Sequence, residues 1–168
     1  MFRIPNLTSM LLVVFFFGLS ATTFALPGDN QQKVYIVADT TTYNYKSGVN
    51  IFEGHVKVDQ GSTHITADRL VTKSNAQHKM QEAIAYGTTE LAHYWMLPKE
   101  GDPEIHAHAR IIKFYPLDSN ATLEQDVVVT QGDNSFHGQL ILYNSKDQTI
   151  IVPPAKDARS ILVYDPDK

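Results

Sequence analysis

The chain has 168 residues, with 14 Lys and Arg against 18 Asp and Glu, a formal net charge of −4 and no cysteine. Disulfides, thiol nucleophiles and thiolate metal sites are thereby excluded, so packing and backbone hydrogen bonds alone must hold the fold. A mildly acidic chain with no basic run is also a poor partner for nucleic acid, where affinity comes largely from neutralising phosphates.

Residues 1–25 read as a cleaved secretory signal. Arg3 follows the amino terminus, Met10 to Leu19 is an apolar run, and Thr23 and Ala25 are small residues at the positions a signal peptidase reads. That run is about half of the roughly 20 residues needed to span a bilayer, which favours a cleaved signal over an anchor. The remaining chain, 26–168, has the length of one domain.

From there nearly every segment alternates apolar and polar side chains. Val34 to Ala38 leads into Thr41 to Tyr45, and Lys46 to Asn50 reads as a turn. Ile51 to Val58 follows, with Phe52, Val56 and Val58 on one face, then a turn at Gln60-Gly61. Strands are predicted at Ile65 to Lys73, Gln81 to Tyr86 and Thr89 to Leu97, and Pro98 to Pro103 is a loop. Ile105 to Tyr115 and Ala121 to Thr130 come next, then a turn at 131–134 and strands near Phe136 to Tyr143, Thr149 to Val152 and Ser160 to Tyr164. No stretch of the mature chain keeps a helical period, so the fold class is all-β.

Four segments share one pattern: Ile36-Val-Ala-Asp39, Ile65-Thr-Ala-Asp68, Ile105-His-Ala-His108 and Phe136-His-Gly-Gln139. In each, the alternation changes phase at the final polar residue. Side chains on a strand repeat every two residues, so a phase change at the same place in each copy predicts a bulge or corner there. Phe52 to Gly61 also overlays on Leu123 to Gly132, which divides the domain into similar halves, about 33–97 and 104–165.

The polar residues offer a few candidates for chemistry. His106 and His108 share a strand face, as in cupin-type metal sites, and His137 is a conceivable third ligand. No carboxylate follows, however, and Arg110 would repel a cation, so polar-face histidines are the simpler reading. Ser62, Ser119 and Ser135 lie outside any nucleophile-elbow pattern. Asp39 and Asp68 invite a carboxylate pair, but hydrogen bonding of strand-corner residues to backbone explains them better. The expectation is therefore no catalytic constellation, no resident metal and no cofactor. By alternation, one apolar stripe collects Val34, Ile36, Tyr43, Phe52, Val56, Val58, Ile65, Tyr86, Ile112, Phe114, Val127, Val129 and Tyr143. It fits either an ordinary sandwich core or a trough open to a ligand.

Taken together, the chain resembles the OstA-like family of lipopolysaccharide-transport domains from about Lys33 to Val163. The resemblance is carried by Ile36-Val-Ala-Asp39, Phe52-Glu-Gly-His-Val-Lys-Val-Asp-Gln-Gly61, Ile65-Thr-Ala-Asp68, Ala85-Tyr-Gly87, His108-Ala109 and Gly138-Gln-Leu-Ile-Leu-Tyr143. Leu91 to Pro103 is longer than the family's hairpin and carries His93-Tyr-Trp-Met96. Gln125-Asp126 stands where the family commonly has Gly-Asn.

The resemblance implies a twisted, partly open antiparallel β-jelly roll, V-shaped in section, acting in the periplasm and not as an enzyme. It implies a partner in lipopolysaccharide, with the acyl chains of lipid A on the apolar stripe. It also implies further partners in inner-membrane-anchored and outer-membrane transport proteins that carry the same domain. Head-to-tail self-association would use strand addition at Lys33, Val34, Tyr35 and Ile36 at one end and Ile161, Leu162, Val163 and Tyr164 at the other. Two rival readings are a glycan-binding or adhesive β-sandwich of the cell envelope, suggested by His93-Tyr94-Trp95, and a cupin-like metal enzyme.

Overall fold

Every long strand of this chain is kinked at one level, and that kink fixes the architecture. The computed structural model describes residues 31–147, 149–154 and 159–165; the expected signal lies outside them. Among the described residues there are twelve strands and no α-helix. They are β1 (Tyr35–Val37), β2 (Thr40–Asn44), β3 (Val49–Gln60), β4 (Thr63–Ser74), β5 (Met80–Tyr86), β6 (Ala92–Met96), β7 (Ile105–Ala109), β8 (Ile111–Tyr115), β9 (Asn120–Gln131), β10 (Asn134–Asn144), β11 (Thr149–Ile151) and β12 (Ile161–Val163). The all-β expectation holds.

All pairings are antiparallel. β3, β4, β9 and β10 pass through the kink, while the other strands lie on one side of it. On the first side the order is β2-β3-β4-β5-β8-β9-β10-β11, here called leaf I. On the second it is β1-β3-β4-β6-β7-β9-β10-β12, leaf II. One sheet is thus folded into two leaves that share four strands, the bent and partly open roll that was expected.

The four repeated segments end at this kink. β1 gives way to β2 at Ala38-Asp39, the β3–β4 register shifts between Glu53 and Val56, β7 gives way to β8 at Arg110, and the β9–β10 register shifts between Gly138 and Leu140. Gly54 has φ 80° and His55 has φ 44°. Glycine suits the first position twice over, because an added Cβ would also overlap the Asp39 carboxylate. In the other half, Gln125 (φ 65°) and Asp126 (φ 56°) adopt the same left-handed backbone with full side chains, at roughly 1–2 kcal/mol each.

Two expectations are corrected. Ile105 to Tyr115 is not one strand but two, because the Arg110 amide donates to the Gln125 carbonyl and its own carbonyl accepts from the Gly87 amide, each at 2.9 Å. Those bonds turn the chain between the leaves. Tyr86 pairs with Arg69 and Ile111, one residue out of step with Leu70, Ala85 and Ile112, so it faces outward. The Arg69 guanidinium lies 5.6 Å from its ring centre.

The inner face is a set of cross-strand rungs. In leaf I, Thr41, Phe52, Leu70, Ala85, Ile112, Leu123 and Ile141 pair in succession beside the kink. In leaf II, Ile36, Val58, Ile65, Tyr94, Ala107, Val129, Phe136 and Leu162 do the same, farther from it. Val56, Val127, Ile112 and Ile141 are the largest fully buried side chains and lie closest to the kink. Alanines 85, 92 and 109, fully buried on the central strands, let the leaves approach each other there. The Tyr94 ring of leaf II reaches the Phe114 ring of leaf I at 5.2 Å between centres.

Candidate functional site

The stripe residues sort by distance from the kink. Phe52, Val56, Ile112 and Val127, beside it, are buried to 3% exposure or less. Val58 and Ile65, one level away on leaf II, are also buried. Ile36, Phe114 and Val129 are half-buried, packed on the core but partly open. Val34, Tyr43 and Tyr143 are exposed. The inner surface is therefore sealed at its floor and open towards its margins.

Among the described residues, both lateral margins are unpaired sheet edges with apolar side chains. At one edge Val34, Tyr35 and Val37 are exposed; at the other Ile150, Ile151, Ile161, Leu162, Val163 and Tyr164 are exposed. Tyr35 to Val37 form β1 and Ile161 to Val163 form β12, while Lys33, Val34 and Tyr164 lie just outside these strands. An edge strand that shows free amides, carbonyls and apolar side chains is a template for a further strand.

Polar groups at the kink are occupied structurally. The Asp39 carboxylate accepts from His55 Nδ1 at 2.8 Å, and this contact raises the histidine pKa above its ordinary value. Asp68 accepts from the Thr89 and Thr88 amides and the Thr88 hydroxyl at 2.6, 2.7 and 2.8 Å, which holds its carboxyl below the usual range. Arg110 donates to the Gly87 and Thr88 carbonyls and pairs with Asp126. Asp39 and Asp68 thus serve strand corners, and Arg110 ties the leaves together. Two depressions flank the Arg110–Asp126 pair on the outside of the bend, one of about 380 Å³ beside His137, Gln139 and Arg159 and one of about 390 Å³ beside Tyr86 and Gln125.

The serines make ordinary contacts: Ser62 Oγ donates to the Leu97 carbonyl and Ser135 Oγ meets His137 Nε2 at 3.2 Å. No ion pair orients His137 among the described residues.

On the outer face of leaf II, His64, His93, Trp95, His106 and His108 come together in one stacked layer. His93 stands opposite His108 and Trp95 opposite His106, and His64 opposite Trp95. Among the described residues no three His, Cys, Asp or Glu side chains converge on a point that would hold a metal ion. His106 and His108 share a face as expected, while His137 lies a further strand away, beyond Val128. The grouping itself was hidden in the sequence. Its signal was the period-two spacing of His93 with Trp95 and of His106 with His108, which becomes a cluster only when the hairpin is closed in register.

The chain is 27% identical over 139 residues to the lipopolysaccharide export system protein LptH of Pseudomonas aeruginosa, covering 80% of this chain and 78% of that protein. It is 28% identical over 130 residues to the lipopolysaccharide export system protein LptA of Escherichia coli K12, covering 77% of this chain and 69% of that one. The crystal structure of LptH, described as the LptA-homologous periplasmic component of the lipopolysaccharide transport device of Pseudomonas aeruginosa, superposes with a TM-score of 0.74 at 24% identity. It covers 83% of this chain and 100% of that one, and shows the same fold. Residues 35–149 match the family model described as LptA/(LptD N-terminal domain) LPS transport protein, and the chain belongs to that family.

Proposed function

We propose that this protein is a periplasmic carrier that binds lipopolysaccharide by its lipid A chains along the apolar inner face. In this reading residues 1–25 are the export signal, removed on secretion, and 26–168 form one domain of two similar halves. The protein bridges transport components of the inner and outer membranes that carry the same domain, and copies join head to tail by strand addition. The edge strands β1 and β12, with Lys33 and Val34 before one and Tyr164 after the other, are the joining elements.

The observation that carries the reading is a continuous apolar ladder, graded from a sealed floor to half-open margins, on a sheet with free edges at both ends. Burying a methylene is worth about 0.8 kcal/mol, so half-burying one acyl chain of about a dozen carbons contributes roughly 5 kcal/mol. Several chains on one lipid multiply that figure while the sugars stay wet. The acyl chains rest first on Ile36, Phe114 and Val129, and reach Ile112 only if the leaves part. The chain's charge offers no long-range attraction for phosphates, so apolar contact dominates.

Photocrosslinking tests this. A crosslinker at Val34, Ile36 or Phe114 is expected to capture lipopolysaccharide, and one at the outward-facing Lys57 is not. Capture at Ile112 reports parting of the leaves. Equal labelling at Lys57 and Phe114 overturns the assignment.

The sealed floor favours a second reading, an adhesive β-sandwich with a permanently closed core. It is distinguished by crosslinks at none of the inner positions.

The joining strands make a separate prediction. Deleting residues 160–168 removes β12 and its exposed apolar side chains, and leaves the bulged strand β10 at the edge, a poorer template. End-to-end oligomers are expected to be lost while monomer fold and lipid capture persist. A concentration-dependent mass unchanged in light scattering refutes strand addition at this edge.

A further inference from the structure

Four histidines and the chain's single tryptophan form the stacked layer outside leaf II, and the geometry points to an acid-sensitive latch. We infer that protonation of His93 and His108 loosens the β6–β7 hairpin and withdraws Tyr94 from the inner face beneath it.

The rings are stacked face on face. His93 and His108 lie 4.0 Å apart between centres and 9° from parallel. His93 lies 4.6 Å from Trp95 and 5.3 Å from His106, and His64 lies 4.9 Å from Trp95. His93 Nε2 and His106 Nδ1 are 3.1 Å apart, a hydrogen bond that needs one nitrogen to accept. An imidazolium has only donors, so a charged His93 keeps this bond only while His106 Nδ1 accepts, and the strain of protonation falls on the His93–His108 stack. Two cations stacked at the His93–His108 spacing also repel strongly in a partly dry environment.

The charged neighbours do not relieve this. From β4 and β3, His64 Nδ1 meets Asp59 at 2.6 Å, and Asp59 also pairs with Lys57. Thr66 stands opposite His93. Just before β7, Glu104 lies 3.3 Å from His106 Nε2. Arg110, two residues beyond His108, is paired with Asp126. β9 presents uncharged Val128 and Thr130 opposite His108 and His106, and on β10 His137 is bound to Ser135. The nearby carboxylates therefore serve His64 and His106, and no ion pair serves His93 or His108 among the described residues.

Burial, together with the neighbouring His108 and His106, lowers the His93 pKa to about 4. Burial and His106 lower that of His108. A histidine held neutral in the closed hairpin but returning to about 6.5 when the hairpin opens takes up a proton on opening. Opening is therefore favoured progressively as pH falls below about 6.5, until the closed ring itself titrates near 4.

The hairpin is poised for this. β6 is tied to β4 by three residue pairs, Thr66 with His93, Ile65 with Tyr94 and His64 with Trp95. Alternation points Tyr94 inward between the outward His93 and Trp95, onto Phe114 of the opposite leaf. Loosening β6 thus uncovers the apolar interior. Its effect on acyl-chain entry rests on the carrier reading; the opening itself does not.

Amide hydrogen exchange of the purified protein at pH 7.5 and 5.0, corrected for intrinsic rates, tests the latch. Protection over 92–96 and 105–109 is expected to fall about thirtyfold at the lower pH, the linkage at pH 5.0 of a ring that titrates near 4 closed and about 6.5 open. Leaf I segments 49–53 and 69–74 should hold as an internal reference. In H93F/H108F, which keeps the stack but removes the two titratable rings that lack a carboxylate partner, the hairpin should stay protected at both pH values. Unchanged native protection, or an equal loss in the double variant, overturns the inference. If that variant does not fold, H108F alone should show a smaller loss than the native chain, and an equal loss overturns the inference just as firmly. Because no lipid is present, failure here is distinct from failure of the crosslinking.

Discussion

Phe52→Ala is expected to destabilise the fold by about 4 kcal/mol, read as a fall in the midpoint of urea unfolding at unchanged slope. Phe52 is 3% exposed and stands in the rung beside the kink, between Thr41 and Leu70. Its ring meets that of Tyr43 edge-on at 5.8 Å between centres, a contact that adds to area burial. Truncation would leave a void under a bent strand whose neighbours are held by sheet hydrogen bonds and cannot collapse into it. A loss below about 1 kcal/mol would show that this level is loosely packed, contrary to its burial.

Gly87→Ala is expected to cost about 3 kcal/mol through crowding alone, measured in the same way. An added Cβ would overlap the Ala92 amide nitrogen and the Glu90 carbonyl oxygen, both backbone atoms with little freedom to give. The Gly87 amide donates to the Arg110 carbonyl at 2.9 Å, and the Arg110 side chain donates back to the Gly87 carbonyl. The crossing from β5 to β6 is thus pinned against the crossing from β7 to β8. A side chain there must either break these bonds or push the leaves apart. A variant as stable as the native chain would mean that the crossing relaxes freely.

The repeated corners were legible because each carries its own local mark, a phase change beside small residues at Ala38, Ala67, Ala107 and Gly138. The turns at Gly61 and Gly132 were legible for the same reason. Less was visible at the third corner, where the mark at Ala107 predicts a bend and not a break in pairing. Arg110 reads as a strand residue, and only its backbone bonds to Gln125 and Gly87 make it a break. Tyr86 reads as a stripe residue because it is the bulkier choice in β5, and only its pairing with Arg69 and Ile111 shows that Ala83 and Ala85 face inward instead. The graded openness of the inner stripe was likewise out of reach, since Phe52 and Phe114 read alike until the distance of each from the kink is known.

Pairing geometry accounts for what the sequence could not show on the outer face. His64, His93 and His106 sit on three strands separated by loops, and nothing local relates them. Closing β6 against both β4 and β7 in one register stacks their rings within about 5 Å. The amino-acid sequence by itself determined the all-β class, the one-sided apolar pattern and the level of the bend, because alternation and bulges are properties of single strands. Tertiary structure alone decided which apolar residues are sealed, which edges remain unpaired and which polar side chains meet, because those depend on register between distant strands and on how closely the two leaves fold together.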